Sequence, residues 1–259
     1  MKSLVIGDVV GRPGREALRS LLPTLKKKYR IDFIIANGEN AAGGSGLTPK
    51  VVKEILSSGV DVITSGDHIW RKKEVLEVIS KENRLLRPAN YPVGVPGSGF
   101  CVYGRGKAKI GVINVVGRVF MNCLEDPFLA AKRAVKEIKK ETPNIFVDIH
   151  AEATSEKLAL AFFLDGEVTA VFGTHTHIQT ADERLLPKGT AYITDLGMTG
   201  PFDSILGRRP EAILEKFITG LPTKFEMATD NVQIQGAIIE FDAERGKAIS
   251  VKRLIECLK

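Results

Sequence analysis

Cysteine, aromatic residues and histidine are scarce in this chain, and each scarcity excludes something. Three cysteines (Cys101, Cys123 and Cys257) in 259 residues, odd in number and without a C-x-x-C pair, leave no disulfide framework and no cysteine-bound structural zinc. Free thiols in a reducing cytoplasm are the expectation. No apolar run approaches the roughly eighteen residues that cross a bilayer. The N-terminal run Leu4-Val5-Ile6 ends at Gly7-Asp8, too short for a signal peptide, so the chain reads as soluble, cytoplasmic and without membrane contact. Aromatics make up only 7% and do not interleave with the basic runs Arg71-Lys72-Lys73 and Lys132-Arg133. These runs fall on predicted amphipathic helices beside Glu74, Glu77 and Glu137, the pattern of a solvated helix face and not of a nucleic-acid platform. The net charge of +6 suits an anionic small molecule as well as it suits solubility, and decides nothing alone.

What remains is an ordinary globular composition with strong patterning. Short β-branched runs recur at Leu4–Ile6, Phe33–Ala36, Val60–Ile63, Ile110–Ile113, Ile145–Ile149, Thr169–Phe172, Ala191–Ile193, Val232–Phe241 and Ile249–Leu254; they read as strands, most of them buried on both faces. Leu18, Leu21, Leu22, Leu25 and Tyr29 carry a helical period behind Pro13, with Lys26-Lys27-Lys28 in the last turn, where cations suit the helix dipole. Thr48-Pro49 and Asp126-Pro127 each place a capping residue before a proline at the first helical position. Strand–helix alternation to about residue 80 predicts βαβ units and parallel pairing. The two last runs, joined by the polar loop Asp242–Lys247, predict an antiparallel hairpin. The expected fold is therefore α/β, a mixed β-sandwich flanked by helices, with the active site at the C-terminal ends of strands. The Pro- and Gly-rich stretch Arg87–Gly106 is expected to be a long surface connection. No linker divides the chain, which reads as a single domain, 1–259.

The four histidines (His68, His150, His175 and His177) all stand just past predicted strand ends, among acidic and amide residues. Asp8 follows the first strand, Glu39-Asn40 the second and Asp67-His68 the third. His150 closes Ile145–Ile149, and His175 and His177 follow Thr169–Phe172. Taken singly each has a bland alternative: Asp8 a turn residue, Glu39-Asn40 a turn cap, Asp67-His68 a helix start. Together they converge, because groups beyond the carboxyl ends of parallel strands share one crevice. In an extended His-x-His both rings would point the same way. Carboxylate, amide and imidazole without thiolate suit manganese, iron, zinc or cobalt. Seven candidate ligands exceed one tetrahedral ion and fit two ions about 3.5–4 Å apart.

The order of these segments resembles the calcineurin-like metallophosphoesterase superfamily. Gly7-Asp8-Val9-Val10-Gly11, Asn37–Gly43, Gly117–Met121, Asp148–Glu152, Gly173–His177 and Thr194–Pro201 are similar to its YmdB-type branch. The resemblance implies that Asp8 and His177 hold one metal and His150 and His175 the other, with Glu39 bridging. Val10 stands where the superfamily has a histidine, and Asn40 fills that place. Asp67 stands where the family has Asn; it keeps a ligand oxygen for the second metal and adds negative charge. His68 takes the general-acid role. The implied enzyme is a metal-dependent phosphodiesterase with two divalent or mixed-valence ions per chain, iron or manganese before zinc or magnesium. A metal-bridging hydroxide would attack phosphorus. Cyclic nucleotides, 2′,3′- or 3′,5′-cyclic AMP, are the implied substrates; phosphomonoesters and RNA, as substrate or indirect target, stay open. Self-association is implied by the resemblance only. Arg12 and Arg118 read equally well as phosphate clamps or surface charges. Two rivals are a hydrolase of non-phosphate esters and a basic RNA-binding or regulatory protein with a vestigial metal site.

Overall fold

In the computed structural model, which describes residues 1–105, 108–122 and 125–258, the apolar runs assemble into two mixed sheets. Cys123 and the last residue of the Arg87–Gly106 stretch lie outside the described residues. In chain order the elements are β1 (Lys2–Ile6), β2 (Asp8–Val9), α1 (Gly11–Tyr29), β3 (Phe33–Asn37), α2 (Pro49–Ser57) and β4 (Val62–Thr64). Then come β5 (Phe100–Arg105), β6 (Ala108–Val116), α3 (Pro127–Ile138), β7 (Ile145–His150), α4 (Thr154–Phe163), β8 (Ala170–Thr174), β9 (Arg184–Leu185) and β10 (Ala191–Ile193). The chain ends with β11 (Met198–Pro201), α5 (Pro210–Thr219), β12 (Val232–Asp242) and β13 (Lys247–Cys257). The first sheet has the order β2-β11-β12-β1-β3-β4, with β13 beside β12; the second has the order β5-β6-β7-β8-β10-β9.

Alternation along the strands decides the layers. Leu4, Ile6, Ile34 and Ala36 pack on Leu18, Leu22 and Leu25 of α1 and on Val52 and Ile55 of α2. Val5 and Ile35, on the opposite face, meet Phe146, Phe172 and Ile193 of the second sheet. Behind that sheet, Ile113, Val147 and Val171 pack on α3 and α4 through Val135, Ile138 and Leu160. The result is a helix–sheet–sheet–helix stack, the expected mixed sandwich. Both predicted caps form: the Thr48 hydroxyl accepts from Val51 N and the Asp126 carboxylate from Phe128 N and Leu129 N. The terminal hairpin is antiparallel, as its polar loop predicts. No helix of the described residues is long and apolar enough to cross a membrane.

The parallel runs position the site. β1, β3 and β4 pair in parallel, as do β6, β7, β8 and β10, so their carboxyl ends collect at one edge of each sheet.

Two expectations need correction. The Arg87–Gly106 stretch is not wholly a surface connection, because Phe100–Arg105 forms the edge strand β5, paired from Phe100↔Ile113 to Arg105↔Ala108. Its apolar core is hidden between glycines, and pairing with β6 supplies what local propensity does not. The part before it is held by the Arg87 guanidinium, which donates to the carbonyls of Pro88, Val95 and Pro96. Arg71 and Lys72 precede a 3-10 turn, Lys73–Glu77, and lie on no helix. The short strands β2, β9 and β11 and the helices α4 and α5 carry too little periodicity to be read from sequence.

Candidate metal centre

The seven candidate metal ligands named from sequence, and His68 with them, reach one region at the seam between the sheets. Ligand atoms of Glu39, Asp67, His150 and His175 lie within 4.8 Å of one another. Asp8, Asn40 and His177 adjoin this group. His177 Nε2 stands 3.1 Å from Asn40 Nδ2 and 3.7 Å from Asp8 Oδ1, and Asn40 Nδ2 donates to Glu39 Oε1 at 3.2 Å. Glu39 thus touches both halves, since the same oxygen lies 3.1 Å from His150 Nε2.

The three clustered histidines share one arrangement: one ring nitrogen faces the acids and the other is held by an acceptor. His150 presents Nε2, while its Nδ1 meets the Thr174 hydroxyl at 2.9 Å, which itself donates to Asp148. His175 presents Nδ1, 3.0 Å from His150 Nε2, while its Nε2 meets Glu152 at 3.0 Å. His177 presents Nε2, and its Nδ1 meets the Leu206 carbonyl at 3.3 Å. Such outer partners fix the tautomer and aim of metal-ligating imidazoles. The His-x-His pair is not the extended segment expected from sequence. His175 has φ 100° and His177 φ 63°, a left-handed backbone rare outside glycine and concentrated at functional sites. That path sends one ring toward His150 and the other toward Asn40. Asp8 secures it by accepting from His175 N at 3.0 Å.

The electrostatics are those of acids and imidazoles buried in contact. Burial raises the Asp8 carboxyl to about 7, with His150 opposing. Burial also works against charge on Glu39, yet His150 and His68 hold that carboxyl well below its ordinary range. For His150, burial disfavours the cation, but Glu39, Asp67 and Asp8 together raise its pKa well above normal. Burial lowers His175 and His177, favouring the neutral form that ligates metal.

These residues fit a metal. Asp67 Oδ1 is buried without a hydrogen-bond partner among the described residues, and it lies 3.4 Å from His150 Nε2 and 3.8 Å from His175 Nδ1. A buried oxygen left unbonded beside two ring nitrogens is costly unless a cation completes it. Gly66 forms the floor: a Cβ there would lie 2.1 Å from His150 Cδ2 and 2.4 Å from Glu39 Oε2. Asn40 directs Nδ2 at His177 and its oxygen at His68, so ligation through the amide oxygen requires the amide to turn.

His68 differs from the other three. Its Nδ1 meets Asn40 Oδ1 at 2.9 Å, its backbone N–H donates to Glu39 Oε2 at 3.0 Å, and it lines a cavity of about 490 Å³. The Glu39 carboxylate, with Oε1 3.3 Å from His68 Nδ1, raises the pKa of the ring. Arg12 and Arg118 do not reach this cavity; Arg12 pairs with Glu16 and Arg118 with Asp126.

Several supporting residues were not singled out from sequence. Asn37 Nδ2 donates to Ser65 O at 3.1 Å and to Asp148 Oδ2 at 3.2 Å, joining the two sheets behind the ligands. Asp148 also accepts from the Thr64 hydroxyl, and burial raises it to about 6. Lys157 and Asp195 are paired behind the His175 loop. Asn37 and Asp148 did leave a signal, as polar residues within otherwise apolar strands. Arg208, Lys216, Phe217 and Phe225 on the far cavity wall left none.

A family model described as YmdB-like protein matches residues 4–254. A Bacillus subtilis protein named 2′,3′-cyclic-nucleotide 2′-phosphodiesterase is 50% identical over 255 residues, covering 98% of this chain and 97% of that protein. The crystal structure of a novel phosphatase from Mycoplasma pneumoniae superposes with a TM-score of 0.92 at 37% identity, covering 99% of this chain and 93% of that one. The Haemophilus influenzae NAD nucleotidase shares the fold at a TM-score of 0.62 and 15% identity, over 100% of this chain and 50% of that one.

Proposed function

As a member of the YmdB-like family this chain is a phosphoric ester hydrolase, and we propose that it is a cytoplasmic phosphodiesterase of cyclic nucleotides working with two metal ions. The 2′,3′-cyclic nucleotides come first, following the name of the B. subtilis relative; 3′,5′-cyclic AMP is the second candidate. Asp8, Asn40 and His177 would hold one ion, Asp67, His150 and His175 the other, and Glu39 would serve both. Iron or manganese suits this set before zinc or magnesium. When bound, such ions supply positive charge to phosphoryl oxygens and acidify water.

The chain's own residues do the rest. Asp8 fixes the His175 loop, and Thr174, Glu152 and Leu206 keep the three imidazoles aimed inward. His68 is the general acid: with Nδ1 engaged by Asn40, its Nε2, 3.8 Å from Asp67 Oδ2, is the nitrogen that gives a proton to the ribose oxygen that leaves phosphorus. The aim of His150 and His175 at a buried Asp67 oxygen without a hydrogen-bond partner among the described residues, with His177 aimed at Asp8 beside them, carries this reading.

The test is metal analysis of protein purified without chelator, followed by turnover of 2′,3′-cyclic AMP, 3′,5′-cyclic AMP and bis-p-nitrophenyl phosphate. About two first-row ions per chain and metal-dependent hydrolysis are expected. Protein that takes up no metal and cleaves none of the three overturns it.

A further inference from the structure

The far wall of the cavity comes from a segment the metal ligands do not use. Leu206, Arg208, Phe217 and Phe225 follow β11 and face His68 and His177 across about 490 Å³, within the roughly 300–1,000 Å³ typical of small-ligand sites. Two of its features want an occupant. Phe217 is 82% exposed on α5, a helix whose buried residue is Ile213, and a large exposed ring at a cavity mouth marks a binding surface. Arg208 is half-buried, yet among the described residues it meets no carboxylate. Its Nη2 donates to Gly44 O at 2.8 Å. Gly44 makes room for it, since a Cβ there would lie 2.4 Å from Nη2. Lys216 adds a second cation, with Nζ 5.1 Å from the Phe225 ring centroid.

We propose that this wall is a nucleotide-recognition subsite, in which Phe217 stacks on the nucleobase and Arg208 donates to phosphoryl oxygens. The proposal rests on the phosphodiesterase reading above and names what selects the substrate. A guanidinium fork matches phosphoryl oxygens, and an aromatic face accepts any base. Cations and an open ring lining one cavity with the acids and imidazoles fit a planar, anionic ligand better than the apolar face of a second copy.

The test uses the full chain as wild type, Phe217→Ala, Phe217→Tyr and Arg208→Met. Two readouts are taken: kcat/KM for 2′,3′-cyclic AMP against the base-free methyl ribofuranoside 2′,3′-cyclic phosphate, and calorimetric binding of AMP. Phe217→Ala is expected to reduce the preference for the base-bearing substrate by about tenfold and to weaken AMP binding, and Phe217→Tyr to restore both. Arg208→Met is expected to lower kcat/KM on both substrates by about tenfold or more. An unchanged preference and unchanged AMP binding in Phe217→Ala overturn the subsite, and a lost self-association in that variant assigns the ring to a second copy instead. If wild type cleaves neither substrate, the phosphodiesterase reading fails, and AMP binding alone then decides the subsite.

Discussion

Lys157 and Asp195 form an ion pair at 2.7 Å with both side chains fully buried. The Lys157 ammonium also donates to Thr174 O at 2.8 Å, and Asp195 accepts from Gly197 N at 2.8 Å and Thr176 N at 3.2 Å. The pair therefore braces the turn that carries His175 from behind.

Removing one partner leaves a buried charge uncompensated, so Lys157→Met is expected to destabilise the protein by about 3–5 kcal/mol in urea unfolding. Lys157→Met with Asp195→Asn should lose less than the sum of the two single losses. Additive losses would mean that the two residues act separately.

His68 and His150 should separate chemistry from metal binding. His68→Ala is expected to lower kcat by about 100-fold or more while metal content holds; His150→Ala should lose metal. Metal loss in His68→Ala would reassign His68 as a ligand.

Asp67→Asn keeps a ligand oxygen and removes its charge. A unit charge about 4 Å from another is worth roughly 4 kcal/mol at an effective dielectric of 20. Metal retention through dialysis should therefore weaken at least about tenfold, and turnover should fall with it. Unchanged metal content and turnover would refute the charge argument.

Burial raises the Cys101 thiol from 9.0 to about 12, whereas Cys257 is exposed. In a Cys123→Ser background, Ellman's reagent at pH 8 should label Cys257 quickly and Cys101 only on unfolding. Between pH 9 and 12 the unfolded chain binds fewer protons at this position than the folded one, so its contribution to stability falls as pH rises through that window. Fast labelling of two thiols in the native protein would contradict this.

The sequence made the ligands legible because parallel strands end at one edge, and an acid or imidazole just beyond such an end has few other places to go. Asp8, Glu39, Asp67 and His150 follow that rule. His175 and His177 obey it by another route, since their left-handed backbone reflects a tertiary constraint that no periodicity announces. Lys157 looks like any solvated lysine on a helix, and its burial depends on Asp195, which the chain reaches only after β8 and β10. Arg208 and Phe217 were invisible for a similar reason. Their wall meets the metal centre because β11 pairs with both β2 and β12, and no local pattern encodes that return.

The chain builds the first half of one sheet, then the whole of the other, and only afterwards returns with β11 and β12 to complete the first. Asp8 and His175, which touch across the seam, are 167 residues apart. Contacts of such separation form late, after long loops have closed. A nascent chain therefore emerges from the ribosome with its acids dispersed, and has no complete cradle for a metal ion until synthesis has passed His177.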